Sequence, residues 1–185
     1  MKNRKKIESN KIVCFFILFV LIIIFAFLLI FIPKSTEQIQ QTQLYFAYGS
    51  NMNIAQMNQR CPTNLDKVGS ARLDDYEFGF DSRGYANIRS KQGEYVWGFV
   101  WKIDELCVSS LDRYEGYPNV YNRKNVVVID KNGKNLNAFV YIQSDDEFGG
   151  IPQKDYLLNK IIPGAIENGL PNEWINKLND ISVTP

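Results

Sequence analysis

Tyr45-Phe-Ala-Tyr-Gly-Ser-Asn-Met52 is the stretch from which the rest of the chain is read. Its aromatic first half fits a pleated, half-buried strand. Gly49-Ser50-Asn51 then reads as a tight turn, since Gly and Asn accept unusual backbone angles and Ser and Asn bond their own main chain. Residues 53–60 carry Ile54 and Met57 at helical spacing and stop at Cys61-Pro62, because a residue before proline disfavours the helical region. Strand, turn and helix in succession aim several backbone N–H groups at one spot. Two readings follow: an ordinary turn, or a cradle for a carboxylate or oxyanion at a helix N-terminus.

Composition narrows the chemistry. The chain has 185 residues, 45% of them hydrophobic, which is enough for one domain with a core and not for two. It contains no histidine, which excludes Ser-His-Asp and Cys-His catalysis and His-ligated zinc. Acid-base work must fall to carboxylates, Lys, Tyr or Cys. None of Cys14, Cys61 and Cys107 belongs to a CxxC pair. Cys61 and Cys107 can be a disulfide or two buried thiols. The formal net charge is +1, but Lys2, Arg4, Lys5, Lys6 and Lys11 stand against Glu8 alone in the first eleven residues, so the remainder is −3. A mildly acidic domain without a basic stripe argues against nucleic acid as a partner.

Residues 12–32 are an unbroken apolar run without charge or proline. At about 1.5 Å per residue such a run is long enough for a hydrocarbon core of about 30 Å. No small-x-small cleavage site follows it. The expectation is therefore a transmembrane signal anchor over 12–32 with the lipid bilayer as partner. The basic segment 1–11 puts the N-terminus in the cytoplasm and the domain on the other face. Residues 33–43 read as a polar tether and 44–185 as the domain.

Within 65–84, Val68, Leu73, Tyr76, Phe78 and Phe80 alternate with Gly69 and Gly79, giving one or two strands, and 85–89 gives another. Glu94-Tyr-Val-Trp-Gly-Phe-Val-Trp-Lys-Ile103 has the density of a central strand, with Gly98 marking a bulge or a close backbone approach. Asp104 suits the N-cap of a helix running to about Asp112. A loop over 114–121 then holds Glu115 between tyrosines. Asn132-Gly133 joins two strands, 125–130 and 136–143, as a hairpin. Asp145, Asp146 and Glu147 lack EF-hand spacing and read as a solvated loop. Residues 154–168 are helical by pattern, with a kink expected at Pro163, and Pro171 opens a last helix bearing Trp174 and Leu178. The whole reads as an α+β domain with a curved or closed sheet.

Glu115 is the acid flanked by tyrosines and turn residues. Aromatic neighbours desolvate a carboxylate and raise its pKa, which suits a general acid-base near neutral pH. The plainer reading is a surface carboxylate. Ser50 lacks a base to activate it as a nucleophile.

Four stretches, in order, resemble the γ-glutamylcyclotransferase family, also called AIG2-like. They are Tyr45 to Met52, Val96-Trp-Gly-Phe-Val-Trp-Lys102, Leu111-Asp-Arg-Tyr-Glu-Gly116 with Tyr121, and Gly164-Ala-Ile-Glu-Asn-Gly-Leu-Pro171. The resemblance covers nearly all of 44–180 and leaves the apolar run outside it. It implies a six-stranded mixed β-barrel with surrounding helices. It further implies attack of a γ-glutamyl α-amine on its own γ-carbonyl, giving 5-oxoproline and an amine or amino acid, without a cofactor. Carried over by position, Tyr45, Phe46, Ala47, Tyr48, Gly49, Ser50 and Asn51 form the substrate loop and Glu115 is the acid-base. Tyr121 and Tyr156 match tyrosines that line the pocket, although the spacing from Tyr156 to Gly164 is one residue longer than the pattern. The expected partner is a small γ-glutamyl molecule with a free α-amine. The alternative is a non-catalytic module at a membrane surface that binds such a ligand without consuming it.

Overall fold

The structure, a computed structural model, describes residues 18–25, 27, 41–63, 65–144 and 146–184. The chain divides into an N-terminal unit, residues 1–39, and a second unit from Gln40 to Pro185.

In the second unit five strands close into a barrel in the order β1-β3-β2-β4-β5. They are β1 (Thr42–Ala47), β2 (Asp66–Phe80), β3 (Ala86–Asp104), β4 (Asn122–Asp130) and β5 (Asn135–Ile142). β1 runs antiparallel to β3, with Tyr45 opposite Trp101, and the barrel closes where β1 meets β5 in parallel at Tyr45 and Phe139. The sheet is therefore mixed. Closure removes the exposed edges that an open sheet would leave to pair with other chains.

The expected six strands are five, because two stretches separated on the sequence by Gly93 are one strand. β2 and β3 form a long hairpin whose register shifts between Lys67 and Gly69 and between Asp74 and Tyr76. At the second shift Asp75 adopts φ 61° and its carboxylate accepts the Gly93 N–H at 2.9 Å. This bulge bends the ribbon without ending it. Gly98 is a close approach: a Cβ there would overlap the Ala47 carbonyl oxygen of β1.

The helices follow their caps. Asn53 accepts the Gln56 N–H at 3.0 Å and opens the helix Ile54–Arg60. Asp104 accepts the Cys107 N–H at 2.8 Å and opens Glu105–Glu115. That helix outruns its expected end at Asp112, because its stop signal is Gly116, a left-handed cap at φ 67°. Glu115 thus sits on the last helical turn and not in a loop. Cys61 and Cys107 are disulfide-bonded with their Cα atoms 4.6 Å apart, tying the ends of these two helices together.

Pro163 does not break the next helix. Lys154–Tyr156 passes into a π turn, Leu157–Ile161, and then into Ile162–Glu167. The Ile162 N–H reaches back five residues to the Leu157 carbonyl. Proline has no N–H for the Asn159 carbonyl, and the wider turn rewinds the ladder around that gap. The final helix, Asn172–Asn179, buries Trp174 and Leu178 against the barrel core.

The expected membrane anchor is corrected. Among the described residues no helix is long and apolar enough to cross a membrane. Residues 18–25 and 27 are helical and exposed, and the rest of 12–32, with 1–11 and 33–40, lies outside the described residues. The described stretch 18–25 accounts for about 12 Å at about 1.5 Å per residue, against about 30 Å of hydrocarbon. The single-pass topology, the bilayer as partner and the placement of the domain beyond a membrane fall with the span.

Candidate active site

The Tyr45–Met52 stretch delivers its residues to two sides. Phe46 and Ala47 are buried in the core and do not line the depression on its other side. Tyr45, Tyr48, Gly49, Ser50 and Asn51 do line it, together with Ala86, Glu115, Tyr121, Tyr141 and Tyr156. Ser50–Met52 forms a 3-10 turn whose own bonds begin with Met52 N–H to Gly49 O and Asn53 N–H to Ser50 O, both 3.0 Å. The N–H groups of Ser50 and Asn51 open that turn and find no partner within it, as at any helical N-terminus.

Asn51 is the hub. Its Nδ2 donates to the Tyr45 hydroxyl and to Glu115 Oε1, each at 2.7 Å. Its Oδ1 accepts from Arg60 Nη1, and its main-chain carbonyl accepts Trp101 Nε1 at 3.0 Å. With the cation on Oδ1, the amide can present only its two donors to the pocket. Arg60 is itself held: it donates to Ser50 Oγ at 3.1 Å and to the Tyr114 hydroxyl at 2.6 Å, and stacks 3.8 Å over the Tyr114 ring.

The loop is buttressed from behind. Asn168 Nδ2 donates to the Met52 carbonyl at 2.6 Å. Gly164 packs so tightly that a Cβ would lie 2.7 Å from Asn53 N and 2.9 Å from the Met52 carbonyl carbon. The π turn absorbs the extra residue between Tyr156 and Gly164. Gly164 keeps its place against the loop while the Tyr156 hydroxyl reaches the Ala86 N–H at 3.5 Å.

Electrostatics single out one group. Burial pushes the Glu115 carboxyl above its ordinary value, and the Asn51 hydrogen bond and the Arg60 charge pull it back only in part. Burial raises Tyr45 and Tyr48 well above the usual phenol range, and raises Tyr121, Tyr141 and Tyr156 as well. The tyrosines therefore stay neutral, and several are tied down. Tyr48 donates to the Tyr141 carbonyl at 2.7 Å, Tyr121 to the Ala86 carbonyl at 2.9 Å, and Tyr141 to Asp112 at 2.7 Å. Glu115 is left as the carboxyl of this lining, with a pKa raised by burial.

The inner cavity is narrow, about 30 Å³. It shares Ser50, Glu115, Tyr121 and Tyr156 with an outer hollow of about 340 Å³ that adds Arg83, Tyr85, Tyr114, Gly116 and Val120. A larger hollow of about 570 Å³ lies among β1, β4 and β5, but its lining, from Thr42 to Phe139, includes no ionisable side chain. Among the described residues, His, Cys, Asp and Glu form no group of three able to hold a metal.

Sequence reasoning missed Arg60, Tyr141 and Ala86. Arg60 had a signal: it lies seven residues after Asn53, two helical turns along the same face. Tyr141 and Ala86 come from strands distant in sequence, and no local pattern announces them.

The family described as "Gamma-glutamyl cyclotransferase, AIG2-like" matches residues 45–158. The Bos taurus protein named gamma-glutamylcyclotransferase is 35% identical over 149 residues, covering 75% of this chain and 78% of its own. The Mus musculus protein of the same name is 34% identical, covering 76% and 79%. A solved structure titled "Gamma-glutamyl cyclotransferase" superposes with a TM-score of 0.72 at 31% identity, covering 78% of this chain and 90% of the other.

Proposed function

Since the chain belongs to the γ-glutamyl cyclotransferase, AIG2-like family of enzymes, we propose that it converts a γ-glutamyl compound with a free α-amine into 5-oxoproline and a released amine or amino acid. Glu115 is the acid-base of that reaction. The observation that carries the reading is the partly buried Glu115 carboxylate held by Asn51 of the turn that lines the same cavity.

The α-carboxylate of the glutamyl group sits against the N–H groups of Ser50 and Asn51, and the neutral tyrosines position the chain of the substrate. The α-nitrogen attacks the γ-carbon and closes a five-membered ring. Glu115 takes a proton from that nitrogen as the C–N bond forms. It returns the proton to the departing nitrogen as the γ-amide C–N bond breaks, so no proton is gained or lost by the enzyme. Ring closure within one molecule supplies proximity. This division of work needs no histidine. Arg60 acts through Asn51: it fixes the amide so that its donors face Glu115 and Tyr45.

Incubation of the full chain with γ-glutamyl amino acids should release 5-oxoproline and the free amino acid in equal amounts. The same substrates acylated on the α-nitrogen should be inert. Turnover of the acylated compounds, or none on a broad γ-glutamyl panel by folded protein, would refute the reading.

A further inference from the structure

A further hollow, of about 770 Å³, lies beside Arg60 and shares no lining residue with the inner cavity. Three elements wall it. The helix Ile54–Arg60 gives Gln56 and Arg60, the helix Glu105–Glu115 gives Ser110 and Tyr114, and the π turn Leu157–Ile161 gives Asn159 and Lys160. The lining holds two cations and no acid. Asp155, which accepts from Asn159, lines a neighbouring hollow with Lys154 instead.

Neither cation is neutralised by the protein. Arg60 donates to four neutral acceptors: Ser50 Oγ, Asn51 Oδ1, Gln56 Oε1 and the Tyr114 hydroxyl. Among the described residues neither Arg60 nor Lys160 forms an ion pair. Both are half-buried, so water screens them less than it screens charges on an open surface. Lys160 belongs to the π turn that rewinds the ladder around Pro163, a local element common at functional sites. Two cations on packed elements, alongside amide and hydroxyl donors, suit an oxyanion with more than one charged oxygen.

Arg60 also joins this hollow to Glu115. Its Nη1 bonds Asn51, whose amide holds the carboxylate. Its charge pulls the Glu115 carboxyl down against burial. The other ionisable groups lining the cavity with Glu115 are tyrosines kept neutral by burial. Arg83, across the outer hollow, is paired with Asp81, and Asp112 on the helix of Glu115 with Arg123. An anion beside Arg60 therefore offsets the cation that acts on Glu115, and the carboxyl holds its proton more firmly.

We propose that this hollow is a regulatory site for a small tetrahedral oxyanion of the sulfate and phosphate class, which acts on Glu115 through Arg60 and Asn51. The regulatory effect rests on the cyclotransferase reading above, while binding of the anion does not.

The test titrates the full chain with sodium sulfate by calorimetry, at ionic strength held constant with sodium chloride. Sulfate is the probe because it keeps both charges over the pH range of the assay. One site should be seen. Lys160→Met should weaken it by about threefold to fivefold, the size of one partly screened ion pair. Lys154→Met, on the same segment but outside the hollow, should leave it unchanged. Inorganic phosphate should bind the same site and lose affinity in the same variant. In 5-oxoproline release, sulfate should lower kcat/KM by about threefold on the acid limb and little on the plateau. Lys160→Met should match the wild type without sulfate and respond less to it. Absence of binding, an equal loss in both lysine variants, or binding without effect on the acid limb overturns the proposal. So does inhibition of equal size at every pH, which marks sulfate in the substrate cavity. If no γ-glutamyl compound yields 5-oxoproline, the cyclotransferase reading has failed separately. Sulfate binding that depends on Lys160 then still supports the site, and its absence overturns it.

Discussion

The floor of the depression and its rim are built differently. Tyr45, Tyr48 and Asn51 on the floor are at most 5% exposed and are held by the barrel, by Trp101 and by the Gly164–Asn168 segment behind them. Tyr85, Tyr114 and Val120 on the rim are exposed and come from a hairpin turn and the end of a helix. The floor is over-determined, as a reacting geometry must be, while the rim can change without disturbing the core. Substitutions on the floor should therefore damage the chemical step, and substitutions on the rim should change which substrate is used.

The largest effect that sharpens this contrast is expected from Asn51→Ala. It removes the donors to Glu115 and Tyr45 together, and kcat/KM should fall by about 10²-fold in steady-state assays, in the range of a mispositioned acid-base group. A loss below fivefold would show that the floor is less exacting than its hydrogen bonds imply. Next comes Gly164→Ala. Backbone atoms of Met52 and Asn53 surround the added methyl, so the strain cannot be relieved by a side chain turning away. Unfolding by urea should show a loss of about 2 kcal/mol.

Much of this arrangement is legible in the sequence, and the reasons are local. Gly49-Ser50-Asn51 announces a turn, Asn53 and Asp104 announce helix starts, and Asn132-Gly133 announces a hairpin, because each acts through its own backbone. The strand count fails at Gly93, since only the partner strand's Asp75 reveals whether a glycine bends a ribbon or ends it. The end of the Glu105–Glu115 helix is set too early because polar residues after Asp112 carry no stop signal until Gly116. Pro163 reads as a kink, and a π turn absorbs it. In the site, Glu115 stands out by its aromatic neighbours. Tyr141 joins it through barrel closure, a contact between strands far apart in sequence.

Smaller still is the effect expected at Arg60. Its charge holds down the Glu115 carboxyl against the larger, opposing effect of burial. In the proposed mechanism Glu115 works from its base form, so the acid limb of the kcat/KM profile should lie above the ordinary glutamate range. Arg60→Met should move that limb further upward. A shift downward would contradict the placement of the cation beside Asn51 and Glu115.

The central claim is that Glu115 moves the proton in a cyclisation, and one side-by-side measurement meets it most directly: 5-oxoproline release by the full chain and by Glu115→Gln, with thermal melting of both. The account predicts turnover by the wild type and a loss of about 10³-fold or more in the variant. The variant should melt no lower than the wild type at neutral pH. A carboxyl whose pKa is raised on folding contributes its stability below the unfolded value and loses it as pH rises through the folded one, so the isosteric amide gives up nothing at pH 7. Retained turnover in a folded Glu115→Gln protein would contradict the account.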